Sequence, residues 1–581
     1  MSRNAEIASR FKEFAALLEA QDVEYKPRSY RRAAENLRGY PEPIENLASE
    51  GENAVSEIEG VGDAIAAKIV EYVETGAIEE LEELRAELPV DMAALTNVEG
   101  VGPKTVGTLY YELGVEDLDD LERASENGEI RELSGFGEKT EANIAAGIAF
   151  ARTAQERQRL GEVRPLGEDL VEYLDDVSDV ERIELGGSLR RWRATVGDLD
   201  VLCASADAEP VVETFTDWER ADSVIEAGSA KASVRSGGTR IDLRVVTPTE
   251  FGSALQYFTG SRDHNIGLRN RAIARDRKIN EYGVFDVSDV DDPDPGQRVG
   301  ERVAGETDES VYEAVDLPPI PPELREDRGE IAAAAEGDLP DLVAESDVRG
   351  DLHTHSDWSD GTGSIAEMVR GAKEFGHEYV CCTDHASGPG VPGPSGLSDD
   401  ELREQAEEVD AAREDVSGIE VLHGVEANID SEGEVSVGDD LLTGLDLVVA
   451  SPHSGLDGDG TDRIVEAASR PAVDVIGHPT GRALGRRPGL DLDIDAVADA
   501  AATHDTALEV NANPQRLDLR GSAVKAAIEH GATIAIDTDA HEPADYSLLR
   551  YGVHTARRGW AEAGHVLNTR SADDLADFLD G

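Results

Sequence analysis

The chain has 581 residues, which is more than one hydrophobic core accommodates, so we expect several domains of ordinary size. Hydrophobic residues make up 39% of it, yet no run reaches the ~20 apolar residues that a membrane span requires, and the first residues lack an apolar signal core. The formal net charge is −69, and the three cysteines are too few for a disulfide framework. These properties exclude a membrane protein and predict a soluble, cytoplasmic one.

The excess of acidic residues has two interpretations. The chain has 123 acidic and 54 basic residues, and only nine of the basic residues are lysines. Such a charge could mark a protein that avoids nucleic acids. Alternatively it is an adaptation to molar salt, where the Debye length is about 3 Å and exposed carboxylates barely repel each other or a phosphate. The acidity is spread along the whole chain and accompanied by much alanine and glycine, and in this the sequence resembles haloarchaeal proteins. We favour this interpretation, under which the charge does not exclude DNA binding.

Residues 1 to about 155 have helical apolar spacing, and three Gly-x-Gly turns each precede a new amphipathic helix. We predict two helical domains here, at 1–85 and 86–158. A glycine turn that opens a helix leaves backbone N–H groups uncovered, and these can bind a phosphate without a charged side chain. One such turn is weak evidence because glycine often only caps helices, but three together are much stronger evidence for a phosphate-binding surface. The predicted contacts are Gly60, Gly62, Gly100, Gly102, Gly135 and Gly137.

From 159 to 250 short strands alternate with helices, and three aspartates are placed to meet on one sheet face. Asp198 and Asp200 are two residues apart, so on a strand both carboxylates point the same way, and Asp242 lies on a strand that could run alongside. Three such acids repel unless divalent cations neutralise them, and this is the two-metal arrangement of phosphoryl or nucleotidyl transfer, with oxygen ligands that suit magnesium. A bare Asp-x-Asp is more often solvated, but the glycines, serine and arginines of GGSLRR can bind a triphosphate and favour the metal site.

The segments GGSLRR, GDLDVL, RIDLR and YFTGS together resemble family X DNA polymerases. The resemblance implies a nucleotidyltransferase palm at 159–250 and a nucleotide-selecting subdomain at 251–318. It also implies that Asp198, Asp200 and Asp242 are catalytic and hold two Mg²⁺ ions, and that Arg240 contacts the primer backbone and Asp242. The incoming deoxynucleoside triphosphate and nascent base pair would be contacted by Gly187, Ser188, Arg191, Tyr257, Phe258, Gly260, Asn265 and Arg269.

The N-terminal glycine turns resemble helix-hairpin-helix motifs, which bind the DNA backbone without reading its sequence and can hold K⁺. The segments RSYRRAAENL and EGVGDAIAAKI resemble the small lyase domain of family X repair polymerases. Lys68 falls on the Schiff-base lysine of that domain, so the resemblance implies a 5′-deoxyribose-phosphate lyase. The chain departs from the family at the supporting lysine, where it has Ala64. The alternative is that Lys68 is only a counter-charge to phosphates.

The proline-rich segment LPPIPPEL leads to a different second half, and we predict a linker at 319–347 and a further domain at 348–581. Apolar strands alternate with helices in this domain, a pattern typical of a βα barrel. Twelve of the 13 histidines lie there, most of them directly after an apolar strand. The carboxyl ends of barrel strands converge on one mouth, so these side chains are expected to meet. Histidines mixed with carboxylates suit zinc, manganese or iron.

The order of these histidines and acids resembles the PHP (polymerase and histidinol phosphatase) domain over nearly all of 348–581. The resemblance implies up to three ions, Mn²⁺ or Zn²⁺, and a 3′-to-5′ exonuclease that also trims other blocked 3′ ends. Asp384, His423 and Asp537 are expected to support the ligands from behind. The implied metal ligands are His353, His355, Asp360, His385, Glu426, His453, His478, Asp539 and His541.

The sequence therefore predicts a multidomain α+β and α/β protein with a helical helix-hairpin-helix region, a palm with a mixed sheet, and a distorted C-terminal βα barrel. We expect a monomeric, gap-filling DNA repair polymerase with 3′-to-5′ exonuclease activity that acts on gapped or primer–template DNA. Two alternatives stay open. The polymerase half could be only a DNA-binding clamp attached to a phosphoesterase, or the chain could be a non-catalytic scaffold for DNA ends.

Overall fold

The computed structural model describes residues 3–23, 26–38, 44–56, 58, 60–96, 98, 100–290, 296–391 and 396–579. The chain forms two compact units, one of residues 1–157 with 485–487 and one of residues 158–484 with 488–581. Within the described ranges, no helix combines the length and the apolar character needed to cross a membrane.

The first unit is helical throughout its described residues and has one apolar core. The large side chains of Phe11, Phe14, Leu37 and Ile69 are fully buried there, which accounts for the apolar spacing of the sequence. The helices are α1 (Arg3–Ala20), α2 (Lys26–Arg38), α3 (Ile44–Glu50), α4 (Glu52–Val55), α5 (Asp63–Thr75), α6 (Glu79–Glu87), α7 (Met92–Leu95), α8 (Pro103–Leu113), α9 (Leu118–Glu126) and α10 (Glu138–Glu156).

The second unit begins with a mixed five-stranded sheet in the order β2-β4-β7-β6-β5. Strands β4 and β7 are parallel and the other pairs are antiparallel, and the register sets Asp200 directly beside Asp242. A short pair, β1 with β3, lies outside this sheet. The elements are β1 (Gln158–Arg159), α11 (Leu160–Asp175), β2 (Arg182–Leu185), α12 (Gly187–Arg190), β3 (Thr195–Val196), β4 (Asp198–Ala204), α13 (Glu209–Thr216), β5 (Ser223–Ala227), β6 (Lys231–Ser236) and β7 (Thr239–Val246).

A smaller subdomain follows the sheet and has its own core around Tyr312 and Leu268. Its three strands are antiparallel in the order β10-β9-β8. The buried ring of His264 joins two of its parts, because Nδ1 lies 2.6 Å from Glu330 Oε1 and Nε2 lies 3.0 Å from the Tyr312 hydroxyl. The elements are α14 (Phe251–Thr259), α15 (Arg262–Ile273), β8 (Arg277–Asn280), β9 (Gly283–Asp286), β10 (Glu301–Ala304), α16 (Asp308–Glu313) and α17 (Glu330–Glu336).

The rest of the second unit is a barrel of seven parallel strands that neighbour one another in chain order from β11 to β17. The first and last strands approach each other, since Leu352 N donates to Asp537 Oδ1 at 2.8 Å and Thr354 bridges to Ala540. The strands are β11 (Gly350–Thr354), β12 (Tyr379–Cys382), β13 (Glu420–Ile429), β14 (Leu447–Pro452), β15 (Val475–Ile476), β16 (Ala507–Asn511) and β17 (Ile534–Asp537).

Helices cover the outside of this barrel with buried apolar faces. They are α18 (Ile365–Phe375), α19 (Asp399–Asp415), α20 (Asp439–Leu442), α21 (Thr461–Ala468), α22 (Ile494–Thr503), α23 (Gly521–Glu529), α24 (Leu549–Arg558) and α25 (Ala572–Leu579). The fold class predicted from the sequence, a helical region followed by a mixed-sheet palm and a distorted βα barrel, is confirmed.

Candidate active sites

Three carboxylates meet on the palm sheet. Asp198, Asp200 and Asp242 each offer an oxygen within 4.8 Å of the others. Burial raises the pKa of Asp200 to about 7, and the negative charges of Asp198 and Asp242 add to this effect. Burial and charge repulsion both make the ionised form of Asp200 unfavourable. A divalent cation would offset both effects, because it neutralises the repulsion and coordinates the carboxylate oxygens that have lost their hydration. The donor set therefore fits Mg²⁺.

Arg240 lies at the edge of this carboxylate cluster. Its Nε donates to Asp242 at 2.9 Å, and the Ser233 hydroxyl also donates to Asp242. A cavity of about 150 Å³ borders Asp200 and Asp242, and Arg244 lines it with its guanidinium 4.5 Å from the ring centre of Phe258. The guanidinium of Arg240 thus contacts Asp242, as the resemblance implied.

The glycines before the carboxylates bring the backbone close to the side chain of Asp200. Gly187 has φ +58°, and a Cβ there would lie 2.1 Å from Asp200 Oδ2. Gly186 N donates to the Asp200 carbonyl at 2.8 Å, which fixes the loop to β4. Ser188, in the short helix α12 that follows, is partly exposed. This close approach explains why glycine, and no larger residue, occupies position 187.

Arg191 is buried and already bonded. Its Nε donates to Glu326 Oε1 at 2.9 Å, and its Nη1 donates to the Thr259 carbonyl at 2.6 Å. The sequence predicted a contact with the triphosphate, and it gave no sign of Glu326. Asp200 lies close enough for the charge of Arg191 to lower its pKa, which opposes the larger effect of burial.

The YFTGS segment ends α14 in a turn stabilised by Asn265. The Asn265 amide donates to the Tyr257 carbonyl at 2.8 Å and accepts from Gln256, and a Cβ on Gly260 would lie 2.4 Å from its Oδ1. The rings of Tyr257 and Phe258 are perpendicular, with centroids 5.2 Å apart. The side chain of Asn265 is therefore occupied within the protein, whereas Arg269 is exposed on α15.

The three glycine turns of the first unit share one geometry. Gly60, Gly100 and Gly135 have φ of +75°, +79° and +92°, and each is followed two residues later by a second glycine. The N–H of the intervening apolar residue donates to a carbonyl three residues back, and helices α5, α8 and α10 then begin at Asp63, Pro103 and Glu138. Among the described residues, a Cβ would meet no atom within 4 Å at Gly62, Gly100, Gly102, Gly135 or Gly137, so the second and third turns are open to a ligand. At Gly60 of the first turn, a Cβ would lie 2.9 Å from Asn36 Nδ2.

Lys68 lies on α5 and forms an ion pair. Its Nζ is 2.6 Å from Glu80 Oε2, and its side chain is 15% exposed. The hydrogen bond from Lys68 lowers the pKa of Glu80. A Schiff base requires a neutral amine, so this ion pair must break before Lys68 can act as a nucleophile.

Glu426 is the centre of the cluster in the barrel. It is fully buried within β13. Its Oε1 lies 3.0 Å from His478 Nε2, 3.3 Å from His453 Nε2 and 3.4 Å from His353 Nε2, and its Oε2 lies 2.5 Å from His385 Nδ1. Burial opposes ionisation, but the charges of the histidines, His385 first, hold the pKa of Glu426 well below its ordinary value. The carboxylate is therefore ionised and can bridge cations.

The remaining predicted ligands complete three overlapping groups, in each of which the ligand atoms lie within 4.8 Å of one another. Burial lowers the pKa of His385, but the charges of Glu426 and Asp360 outweigh it and raise that pKa to about 10. The same two carboxylates would favour a metal ion at this position, which binds the neutral imidazole in place of the proton. The groups are His355, Asp360, His385 and His541; His353, His355 and Asp539; and His385, Glu426 and His453.

Orphaned polar atoms test whether metal ions fit here. Among the described residues, both oxygens of Glu426 and the Nε2 atoms of His353, His355 and His453 are buried without a well-formed hydrogen bond. Such atoms are costly unless they bind something, and imidazole with carboxylate is a donor set that suits Mn²⁺ or Zn²⁺. All nine predicted ligands lie in this one mouth, and their number and overlap fit up to three ions.

Two supporting residues were not found from the sequence. Glu509 in β16 is fully buried, with Oε1 2.7 Å from His353 Nδ1, and its other oxygen accepts from His478 N. Asn428 Oδ1 lies 2.7 Å from His453 Nδ1. Each orients a ring so that its other nitrogen faces the cluster. The only signal in the sequence was a polar residue inside an otherwise apolar strand.

The residues expected to support the ligands from behind form hydrogen bonds with other residues of the barrel. Asp384 accepts from Ser356 and Gln405, His423 contacts Gln405, and Asp537 accepts from Leu352 N. These bonds hold the strands that carry the ligands. Arg516, which the sequence also did not identify, lies at the mouth with Nε 3.6 Å from Asp539 Oδ2 and offers a positive charge beside the cluster.

Comparisons with known families agree with this architecture. Residues 2–78 match a helix-hairpin-helix domain, 92–149 match a SAM-like helix-hairpin-helix tandem, 254–326 match the DNA polymerase beta thumb, and 351–512 match the PHP domain. Two DNA-binding helical modules, a polymerase palm with its thumb, and a PHP barrel define the class as a polymerase fused to a metal-dependent phosphoesterase.

Among similar proteins, DNA polymerase/3′-5′ exonuclease PolX of Bacillus subtilis is 36% identical over 564 residues, which is 96% of each chain. Probable phosphatases of Thermoanaerobacter sp. and Caldanaerobacter subterraneus are both 32% identical, over 38% and 39% of this chain and 89% and 90% of their own. The chain therefore belongs to the family X DNA polymerases that carry a C-terminal PHP domain, as the sequence resemblance predicted.

Proposed function

We propose that the protein is a DNA-directed DNA polymerase that fills gaps by two-metal nucleotidyl transfer and degrades or trims 3′ ends with its PHP barrel. The observation that carries this proposal is the presence of two separate, convergent ligand sets in one chain. One is the all-carboxylate set of the palm and the other is the histidine–carboxylate set of the barrel. Similarity to a polymerase/exonuclease along 96% of the chain supports both activities together.

In the palm, Asp198, Asp200 and Asp242 would hold two Mg²⁺ ions, which supply charge neutralisation of the primer 3′-oxygen and the triphosphate. Ser188 and Arg191 would bind the triphosphate, and the N–H groups near Gly187 would add donors. Arg240 would keep Asp242 oriented and contact the primer backbone. Tyr257, Phe258 and Gly260 would line the sugar of the incoming nucleotide. In this scheme the protein contributes mainly positioning and electrostatics.

In the barrel, the nine ligands would hold Mn²⁺ or Zn²⁺ ions, which supply Lewis acidity toward a phosphodiester. Glu509 and Asn428 would keep the histidine rings turned toward the cluster. Arg516 would neutralise part of the phosphate charge at the mouth. The chemistry required of the chain here is to bind a 3′-terminal phosphodiester and hold it against the cluster.

One experiment tests both sites. A gapped DNA with a 5′-labelled primer is incubated in molar KCl with all four deoxynucleoside triphosphates and either Mg²⁺ or Mn²⁺. We expect the wild type to extend the primer, Asp198→Ala/Asp200→Ala only to shorten it, and His353→Ala/His355→Ala only to extend it. Each double variant serves as the folding control for the other. Extension by the first variant, or shortening by the second, would remove the corresponding assignment.

The phosphatase relatives, which match 38% and 39% of this chain, favour a second candidate, a phosphoesterase whose polymerase half is a DNA clamp. In that case the wild type would shorten the primer under every metal and never extend it. A protein that neither extends nor shortens but binds ends would be the non-catalytic scaffold.

We further propose that the helix-hairpin-helix turns bind gapped DNA through backbone contacts and hold K⁺, that the protein acts as a cytoplasmic monomer, and that its acidity is a haloarchaeal adaptation to salt. Lys68 is proposed as the nucleophile of a 5′-deoxyribose-phosphate lyase. Borohydride trapping on a 5′-deoxyribose-phosphate end tests this role, and trapping that survives Lys68→Ala would overturn it.

A further inference from the structure

Helix α24 of the barrel lies against the palm loop that carries Arg191. The barrel residues Leu517 and Tyr551 belong to the same apolar cluster as the palm core. Arg550 of α24 binds Glu168 of the palm at 2.5 Å, and Arg557 binds Glu323 at the end of the thumb at 2.7 Å. The palm, the thumb and the barrel are therefore packed together at this helix.

One buried carboxylate at this junction forms ion pairs with three arginines. Glu326 is 7% exposed, with Oε1 2.9 Å from Arg191 Nε and 3.3 Å from Arg558 Nη2, and Oε2 3.1 Å from Arg193 Nη1. Arg558 Nη1 also donates to the Arg191 carbonyl. Three positive charges face one negative charge, so a further anion near Arg191 is favoured.

The loop itself is held in a conformation that needs support. Trp192 has φ +54°, in the left-handed region that costs a bulky residue on the order of 1–2 kcal/mol. His554 of α24 stacks on its ring at 3.6 Å with an interplanar angle of 6°, and the Arg164 guanidinium lies 3.3 Å from the ring centre. The barrel helix thus fixes both the side chain of Trp192 and the backbone of Arg191.

We propose that Glu326 and Arg558 are positioning residues of the nucleotidyl-transfer site, so that the barrel forms part of the site that binds the incoming nucleotide. Glu326 holds Nε of Arg191 and Thr259 holds Nη1, which directs Nη2 to the triphosphate. Arg558 shares the charge of Glu326 and anchors the Arg191 carbonyl. Without Arg558, the whole negative charge of Glu326 would act on Arg191. The triphosphate would then compete less well with Glu326 for the Arg191 guanidinium. This inference rests on the proposed polymerase function.

The test compares Arg558→Met with Arg550→Met in the full chain. Both substitutions remove an arginine of α24 that forms an ion pair across the same junction. Only Arg558 contacts Arg191 and Glu326. We expect Arg558→Met to raise the KM for the deoxynucleoside triphosphate about tenfold or more in single-nucleotide gap filling, with a smaller effect on kcat. Arg550→Met should leave that KM within about twofold. Arg558→Lys, which keeps the positive charge, should restore part of the affinity.

Equilibrium binding provides a readout that does not depend on catalysis. Titration of deoxynucleoside triphosphate into the protein with gapped DNA and Ca²⁺ should show the same loss of affinity for Arg558→Met, while degradation of single-stranded DNA by the barrel stays unchanged. Equal effects of the two methionine variants, or no effect of Arg558→Met on nucleotide affinity, would overturn the inference. A wild type that binds nucleotide without extending the primer would instead reject the proposed function and leave the titration interpretable.

Discussion

At the residue scale, Gly187 shows how closely the palm loop approaches its metal-binding carboxylates. A Cβ on this residue would lie 2.1 Å from Asp200 Oδ2, and φ is +58°. We predict that Gly187→Ala reduces primer extension about a hundredfold or more, because Asp200 must move out of its position by an appreciable fraction of an ångström. The rate of single-nucleotide insertion measures this effect.

Gly237→Ala is the matched control for that substitution. Gly237 has φ +54° in the β6–β7 turn, and a Cβ there would meet nothing within 4 Å. Both variants carry the left-handed backbone penalty of roughly 1–2 kcal/mol, but only the methyl group of Gly187→Ala meets the side chain of Asp200. If Gly237→Ala reduces insertion as much as Gly187→Ala does, the loss comes from backbone strain and general stability instead of from the position of Asp200.

The candidate metal ligands were predictable from the sequence. The buried residues that hold other side chains in place were not. The three palm aspartates were predicted from residue type and spacing, and the nine barrel ligands from the resemblance to the PHP domain; the structure brings each set together. Glu509 and Glu326 were missed because their partners lie far away in sequence, His353 at 156 residues and Arg191 at 135. A single glutamate in a strand or a linker gives no periodic signal, and only the folded chain shows that it is buried beside a charge.

At the element scale, the helix-hairpin-helix turns are proposed to bind DNA through their backbone N–H groups, so a methyl group is the appropriate probe. Gly102 caps α8 with φ −82° and ψ 173°, an extended conformation that any residue can adopt, and among the described residues a Cβ there would meet no atom within 4 Å. We predict that Gly102→Ala weakens binding to gapped DNA several-fold, because the methyl group occupies the path of a phosphate toward the exposed N–H groups. Fluorescence anisotropy at fixed KCl measures the affinity.

The control is Gly438→Ala in the barrel. Gly438 caps α20 with φ −71° and ψ 142°, and it is likewise open to solvent. Both substitutions carry the same N-cap cost, on the order of 0.5–1 kcal/mol, as a melting curve would show. DNA affinity that is unchanged in Gly102→Ala, or equally reduced in both variants, would contradict the proposed role of the turn.

Element types were easier to predict than element pairing. The alternation of apolar runs and helices indicated the barrel, and the Gly-x-Gly turns indicated helices that begin at Asp63, Pro103 and Glu138. The mixed palm sheet was also expected, but the register of β4 with β7, which sets Asp200 beside Asp242, is a property of long-range hydrogen bonding. Spacing within one strand fixes which face a carboxylate occupies, whereas its neighbour on the next strand depends on the fold.

At the scale of the whole molecule, the second unit contains the palm, the thumb and the barrel, and the predicted domain boundaries within it stay predictions. The proline-rich segment suggested a linker between independent parts. In the structure that region carries Glu323 and Glu326, whose ion pairs with Arg557 and Arg558 join the thumb end to the barrel. Composition indicates where a chain changes character, but it does not show that the segment is buried.

The net charge of −69 is also a property of the whole molecule, and it makes stability depend on salt. Helix α6 illustrates the local cost, since Glu79, Glu83 and Glu87 follow one another at four-residue intervals. Each such like-charge pair is destabilising by about 0.2–0.5 kcal/mol at low ionic strength, and repulsion over the surface adds to it. We predict that the midpoint of thermal unfolding rises by roughly 10 °C or more between 0.1 and 3 M KCl.

Two controls separate charge screening from a general solute effect. Sucrose at equal osmolality is excluded from the protein surface but does not screen charge. It should therefore raise the midpoint of thermal unfolding less than KCl does. Glu83→Lys turns two repulsive pairs of α6 into attractive ones, so it should raise the midpoint at 0.1 M KCl and have little effect at 3 M, where the Debye length is below about 3 Å. If the wild type melts at the same temperature at both KCl concentrations, the acidic surface is not an adaptation to salt, and the charge must again count against DNA binding.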